Sequence, residues 1–162
     1  MRAPGRGARV VTAAAGQALA LGSHRLQVLS PPPGPVPARD EDPNLRAVVL
    51  SVSYGTLDFL MTADAESEVT SSLPLRPVEV LKVAHHGSAD EGLRPLLERV
   101  RPLAAVIEVG ADNPYGHPAP ETLSTLAAQV PRVFRTDRNG DVTITAGPDG
   151  LRVRARRQGS SD

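Results

Sequence analysis

The sequence predicts an α/β fold, an α+β sandwich with antiparallel strands in its first half and alternating strands and helices in its second. Two observations support this prediction. Before residue 62, short runs of alternating apolar and polar residues flank polar turns, which is typical of half-buried hairpin strands. After residue 78, continuous apolar runs alternate with segments whose apolar residues recur at helical spacing, which is typical of buried strands and the helices that cover them.

The first half predicts a series of short antiparallel strands. Polar turns containing Gly22 and Gly55 separate the apolar runs, and a glycine between two alternating runs is a hairpin signal. The proline-rich and then charged segment 31–43 cannot form a packed core, so it predicts a loop that crosses the surface. The strands are expected at 10–12, 18–21, 26–29, 47–52 and 57–61.

The second half predicts buried strands joined by helices. The run from Glu79 to Ala84 is a buried strand by composition, and Asp90 is expected to cap the helix that follows it. Pro120 predicts the first turn of another helix, because a proline there loses no helical hydrogen bond. Further strands are expected at 103–109, 133–134, 141–145 and 151–155, and a flexible tail at 156–162.

The composition sets limits on the class of protein. The 162 residues predict a single domain, and the absence of cysteine excludes disulfide bonds and thiolate metal ligands. The formal net charge of +0 gives no global electrostatic argument for nucleic acid, so any such affinity would be local. No apolar run reaches the roughly 18 residues of a membrane helix, so we expect the chain as given to be soluble, without a signal or transmembrane segment.

Metal-competent side chains follow two of the predicted strands. Asp64 comes after the strand at 57–61, and His85 and His86 come after the strand that ends near Ala84. Carboxylate and imidazole are ligands that Zn²⁺, Mn²⁺ and iron share. Adjacent side chains of an extended strand point to opposite faces, so both histidines can be ligands only if the backbone breaks there, which Gly87 permits. Otherwise one is a ligand and its neighbour contacts a substrate phosphate or donates a proton.

Two further segments carry candidate substrate contacts. Ser88 either caps the next turn or donates to a phosphate oxygen. The loop 113–118 displays Asn113 and His117 between prolines, where His117 is a candidate for phosphate contact or general acid catalysis. His24 falls at a predicted turn and is expected to be exposed and not a ligand, and Asp137 is expected to be a structural turn residue.

Four blocks of the sequence resemble the C-terminal metallo-β-lactamase-like domain of the ComEC/Rec2 DNA-uptake competence proteins. They are FLMTADAE at 59–66, VLKVAHHGS at 80–88, VIEVG with NPYGHP within 106–118, and VFRTD with a glycine at 133–140, and the resemblance covers about residues 44–145. It implies an αββα metallohydrolase fold with a nuclease-like or phosphodiesterase-like activity. In the family this domain is attached to a membrane channel that takes up single-stranded DNA, and we expect it on the extracytoplasmic side.

The resemblance also implies roles for individual residues. Asp64 falls on the position that bridges two divalent ions, Mn²⁺ or Zn²⁺, with His85 and His86 as further metal ligands. His86 and His117 are the catalytic candidates. Single-stranded DNA or another phosphodiester is the expected substrate, and its candidate contacts are Ser88, Asn113 and His117.

The sequence departs from the family pattern in two places. Family members carry an upstream His-x-His/Asp-x-Asp-His block, and none of the four histidines here has that spacing; Ala63 stands where the family has glycine. We therefore expect residues 1–162 to form a partial domain that lacks its N-terminal half, which lies on another polypeptide, begins upstream, or has decayed. Such a chain should bind metal weakly, catalyse little, and associate with the missing half, the channel portion or itself. The alternatives are a non-catalytic α/β interaction module and another hydrolase of the same superfamily.

Overall fold

A computed structural model describes residues 10–35, 42–147 and 150–156 of the chain. Within them, seven strands form one mixed sheet in chain order and two more form a separate hairpin, so the predicted α/β class is confirmed. The strands are β1 (Ala18–Leu21), β2 (His24–Ser30), β3 (Val49–Tyr54), β4 (Leu57–Met61), β5 (Val80–Lys82), β6 (Ala104–Ile107), β7 (Arg132–Arg135), β8 (Asp141–Gly147) and β9 (Gly150–Arg156). The α-helices are α1 (Ser67–Thr70), α2 (Leu93–Val100), α3 (Pro120–Gln129) and α4 (Thr136–Asn139), and 3-10 turns span Pro43–Arg46 and Ala84–Gly87.

The first four strands form an antiparallel meander, as the alternating pattern predicts. Two-residue turns at 22–23 and 55–56 close the hairpins β1–β2 and β3–β4. The strand predicted at 10–12 is wrong: strand pairing begins at Ala18, and the residues before it contact the end of β2 through a bond from the Ala15 N–H to the Pro31 carbonyl of 2.7 Å. A run of three residues offers too few ladder hydrogen bonds to hold a strand at this edge.

The last four strands of the sheet run parallel. Phe59 of β4 pairs with Val80 of β5, Val80 pairs with Ala104 of β6, and Ala104 pairs with Arg132 of β7. Because parallel strands end at the same edge of a sheet, the loops that follow β4, β5 and β6 are brought together there.

Helices α2 and α3 cover one face of the sheet and complete the core. Leu60, Leu81 and Ile107 of the strands pack in the same buried cluster as the apolar residues of α2. Asp90 is not the N-cap of α2, because the helix begins at Leu93 with Gly92 in that position. The Asp90 carboxylate instead accepts the Gly92 N–H at 3.0 Å and bonds Ser67, which lies before it in sequence. An aspartate that bonds the backbone two residues ahead forms a local turn and delays the helix.

The opposite face of the sheet is partly open. The β8–β9 hairpin lies beside it and leaves a cavity of about 720 Å³, whose apolar lining includes Phe59, Met61, Val80, Val106, Val142 and Ile144. Three side chains of this face remain exposed, and we call Leu21, Tyr54 and Met61 the open sheet face; their exposed fractions are 55%, 37% and 43%. Direct pairing of Leu21, His24, Tyr54 and Leu57 places these side chains on one face.

Some predicted features lie outside the described residues. These include 36–41 of the predicted surface loop and 157–162 of the predicted tail. No helix in residues 10–35, 42–147 and 150–156 is both long and apolar enough to cross a membrane.

Candidate functional site

Three loops meet at the edge where β4, β5 and β6 end. The His85 N–H donates to the Ala63 carbonyl at 3.0 Å, which ties the loop after β5 to the loop after β4. The Ala119 N–H donates to the Gly87 carbonyl at 2.8 Å, which ties the loop after β6 to the same turn. Backbone hydrogen bonds therefore hold together the three loops that carry the predicted ligands. This agrees with their position at one edge of the sheet.

The two histidines lie on a 3-10 turn and not on the strand. Strand β5 ends at Lys82, and both His85 (φ 45°, ψ 46°) and His86 (φ 54°, ψ 19°) adopt left-handed backbone conformations. The backbone thus breaks from His85 onward, two residues before Gly87, which itself has φ 84°. Their rings are 6.5 Å apart between centroids and inclined at 66°. The opposite-face rule for an extended strand does not apply to this pair.

His86 faces Asp64 with its free nitrogen. Its Nδ1 lies 2.6 Å from the Glu108 carbonyl oxygen, and a carbonyl can only accept, so Nδ1 carries the proton. Its Nε2 lies 3.9 Å from Asp64 Oδ1, and the two side chains are 48% and 41% exposed. The Nδ1–H bond to a backbone carbonyl is one that metal-ligating histidines commonly make, and it directs Nε2 toward Asp64.

His85 faces a different carboxylate. Its Nδ1 lies 2.8 Å from Glu66 Oε1, and the Ser88 hydroxyl donates to the same oxygen. The ring of His117 lies 5.6 Å from that of His85 between centroids, at 60°. The structure thus separates the adjacent histidines into a His86–Asp64 pair and a His85–Glu66–Ser88 cluster. Glu66 belongs to the sequence block at 59–66, but sequence reasoning gave it no role. Its one sequence signal is that it is a second carboxylate two residues after Asp64.

The loop after β6 presents His117 and uses Asn113 to close on itself. The Asn113 amide oxygen accepts the His117 N–H at 3.1 Å, and the amide nitrogen lies 2.8 Å from the His117 carbonyl and 3.1 Å from the Gly110 carbonyl. Tyr115 is 79% exposed and stacks near His117, with centroids 6.2 Å apart. The structure brings His117 to the histidine turn, while the side chain of Asn113 is engaged by its own loop.

Lys82 supports the turn that carries Asp64. Its ammonium donates to the Ala63 carbonyl at 3.1 Å, and its own carbonyl accepts from the buried Thr62 hydroxyl at 2.8 Å. Ala63 has φ 49°, a left-handed conformation that favours glycine. Sequence reasoning assigned Lys82 no role because a lysine in an apolar run gives no indication of where its ammonium points.

Asp137 has a structural partner, Arg135. Arg135 bonds it through Nε at 3.0 Å and Nη2 at 2.6 Å, with both side chains largely buried at 14% and 12% exposure. This charged pair lowers the pKa of the Asp137 carboxyl below its ordinary value.

The His86–Asp64 pair fits a metal ion in part. Two ligand atoms that each lie about 2.1 Å from one tetrahedral ion are about 3.4 Å apart, so the observed 3.9 Å would have to shorten by about 0.5 Å. Among the residues that the structure describes, however, no group of three or more histidine, aspartate or glutamate side chains could hold a metal ion. The described residues therefore bring together at most two candidate ligands, and a full coordination shell needs at least two more.

Comparison with known proteins assigns the family. The chain is 34% identical over 131 residues, 78% of its length, to ComE operon protein 3 of Bacillus subtilis. It is 32% identical over 116 residues, 70% of its length, to Recombination protein 2 of Haemophilus influenzae. The chain belongs to the ComEC/Rec2 family. This confirms the resemblance stated on the four sequence blocks.

The match to the ComEC/Rec2 family covers a small part of each relative. Competence protein ComA of Neisseria gonorrhoeae is 28% identical over 128 residues, which are 76% of this chain and 18% of that protein. For the Bacillus subtilis and Haemophilus influenzae proteins the covered shares are 16% and 15%, so the chain spans about a sixth of their length. No protein-family model and no solved structure matches the chain.

Proposed function

We propose that the chain is part of a metal-dependent phosphodiester hydrolase of metallo-β-lactamase type that serves DNA uptake. The three relatives are named Competence protein ComA, ComE operon protein 3 and Recombination protein 2. The observation that supports the chemistry best is the 3.9 Å approach of His86 Nε2 to Asp64 Oδ1, with the opposite ring nitrogen fixed on a backbone carbonyl.

In this proposal Asp64 and His86 hold a divalent cation, Mn²⁺ or Zn²⁺, as two members of a larger ligand set. When bound, such a cation supplies Lewis-acid stabilisation of a phosphoryl oxygen and lowers the pKa of water. The remaining ligands would come from a partner segment, either an N-terminal half or the membrane-channel portion of a longer protein. The open sheet face is the surface on which that segment would pack.

The neighbouring rings act on the substrate in this proposal. His85 is held by Glu66, and His117 lies 5.6 Å from it on a loop whose conformation Asn113 fixes. His117 contacts a phosphate oxygen of single-stranded DNA or donates a proton to the leaving oxygen. The Ser88 hydroxyl is already donated to Glu66, so its contribution is to order the turn. His85 thus becomes the histidine next to the ligand, an assignment that the sequence left open.

A hydrolysis assay tests the proposal. The chain is incubated with Mn²⁺ and either bis(p-nitrophenyl) phosphate or labelled single-stranded DNA, beside Asp64→Asn, His86→Ala and, as a matched histidine control, His24→Ala. His24 is exposed, and its ring stacks on Tyr54 at 4.4 Å at the opposite end of β4 from Asp64. We expect slow, Mn²⁺-dependent hydrolysis that the two site variants lose and the control keeps. Hydrolysis that survives Asp64→Asn would contradict the assignment.

A second candidate is a non-catalytic interaction module. It is favoured by the two-ligand pair, since the described residues assemble no larger cluster, and by the exposed apolar side chains of the open sheet face. Absence of any hydrolysis, together with metal-independent association of the chain in sedimentation experiments, would support this candidate over the enzyme.

A further inference from the structure

Glu66 connects two of the three loops through a single carboxylate oxygen. Oε1 lies 2.8 Å from His85 Nδ1 and also accepts the Ser88 hydroxyl. The carboxylate side chain is 33% exposed and the His85 side chain 34%, so the contact is partly shielded from water. A charge-assisted contact of this kind is about twice as strong as a neutral hydrogen bond.

The chemistry of the carboxylate fixes which nitrogen of His85 carries the proton. An ionised carboxylate only accepts hydrogen bonds, so Nδ1 must be the protonated nitrogen of the ring. In the neutral ring, Nε2 then carries the lone pair, and the described residues give Nε2 no hydrogen-bond partner. The state of one ring nitrogen is set by the hydrogen bond that the other makes. Glu66 thereby determines which atom of His85 is available for chemistry.

The position of Glu66 is itself fixed by the packing of α1. The Glu66 carbonyl accepts the N–H groups of Val69 and Thr70, the last two residues of this helix. The next residue, Ser67, is held by Asp90: its N–H donates to Asp90 Oδ2 at 3.0 Å and its hydroxyl to Oδ1. Asp90 belongs to the loop after β5, as His85 and Ser88 do. The contacts of Glu66 and those of Ser67 therefore join the same two loops, the one after β4 and the one after β5.

We propose that Glu66 is a positioning residue for His85: it holds the ring in the Nδ1–H tautomer and leaves Nε2 as the nitrogen that serves the site. This inference rests on the proposed function for the use of Nε2, but the tautomer itself does not depend on catalysis. It differs from the roles of Asp64 and His86, because Glu66 reaches the site through another side chain.

Nuclear magnetic resonance of the full chain tests the proposal without any substrate or metal. The ¹⁵N-labelled protein is studied in mildly alkaline buffer. Long-range ¹H–¹⁵N correlation distinguishes a protonated from an unprotonated ring nitrogen, and His85→Gln assigns the signals. The variants are Glu66→Gln, which keeps an acceptor oxygen, Glu66→Ala, which removes it, and Glu68→Ala, which removes a charge from an exposed position of the same helix.

The expected result is a protonated Nδ1 and an unprotonated Nε2 in the parent chain, in Glu66→Gln and in Glu68→Ala. In Glu66→Ala the His85 signals should shift toward the other tautomer by a large fraction of the separation between the two forms. An Nε2–H tautomer in the parent chain would overturn the proposal even if Glu66→Ala failed to fold. Unchanged His85 signals in a folded Glu66→Ala would overturn it as well. If the parent shows the expected tautomer but no hydrolysis, the proposed function fails and the positioning role stands.

Discussion

Replacing Gly87 by alanine should destabilise the fold and displace the loop of His117. Gly87 is buried with φ +84°, and an added Cβ would lie 2.6 Å from Pro118 Cβ and 3.3 Å from Ile107 Cγ2. The left-handed backbone costs an L-residue about 1–2 kcal/mol. Overpacking of a filled site costs a further 1–3 kcal/mol or so. We therefore expect the free energy of unfolding to fall by about 2–5 kcal/mol.

Gly116→Ala is the matched control, since Gly116 has φ +73° but an added Cβ there meets nothing within 4 Å. It should lose only the backbone contribution of about 1–2 kcal/mol. Both variants reduce the entropy of the unfolded chain equally, so that contribution cancels in the comparison. Urea denaturation followed by circular dichroism gives both free energies of unfolding. Equal losses in the two variants would refute the steric argument, because only Gly87 has neighbours to displace.

The remaining predictions concern the Asp64 turn, the acid stability and the open sheet face. Ala63→Gly should raise the free energy of unfolding by about 0.5–1 kcal/mol, because Ala63 has φ 49°, a conformation that favours glycine. Ala127→Gly is the control: it lies within α3, where glycine is unfavourable, and should lower the free energy of unfolding by about 1 kcal/mol. Urea denaturation measures both changes. Asp137→Asn should cost about 1.5–3 kcal/mol at neutral pH. Arg135 lowers the pKa of Asp137 in the folded state, so the stabilisation is fully present above the ordinary aspartate pKa of about 3.9. It is lost as the pH falls through the pKa of Asp137 in the folded protein. The stabilities of parent and variant should therefore converge in acid. Met61→Lys should reduce self-association in sedimentation velocity, since Met61 is an exposed apolar side chain of the open sheet face; unchanged association would exclude that surface.

The sheet was predictable from the sequence because its strands have a strong local signal. The alternation around Gly22 and Gly55 fixes both hairpins, and the buried runs that became β5 and β6 are too short and too apolar to be anything but inner strands. Asp90 shows the limit of local reasoning. Its carboxylate accepts hydrogen bonds both from the Gly92 N–H, two residues later, and from Ser67, 23 residues earlier. Helix-capping rules consider only neighbours in sequence, so they do not anticipate the bond to Ser67.

The candidate site was predictable in its residues but not in its pairing. Asp64, His85 and His86 are recognisable as metal-competent side chains at strand ends, and the structure places all three at one edge of the sheet. Which carboxylate meets which histidine depends on the left-handed turn at His85 and His86, and periodicity cannot anticipate a backbone that bulky residues rarely adopt. Glu66 was missed for the same reason, since its role exists only once that turn directs His85 toward it.

Metal binding at equilibrium tests the central assignment most directly. The chain, Asp64→Asn, His86→Ala and His24→Ala would each be dialysed against Mn²⁺ or Zn²⁺, and the bound metal measured by elemental analysis. The account predicts weak binding by the chain and by His24→Ala, and its loss in Asp64→Asn and His86→Ala, since a pair of ligands cannot retain the ion when either is removed. Equal metal content in the chain and in Asp64→Asn would contradict it, because the ion would then be held elsewhere.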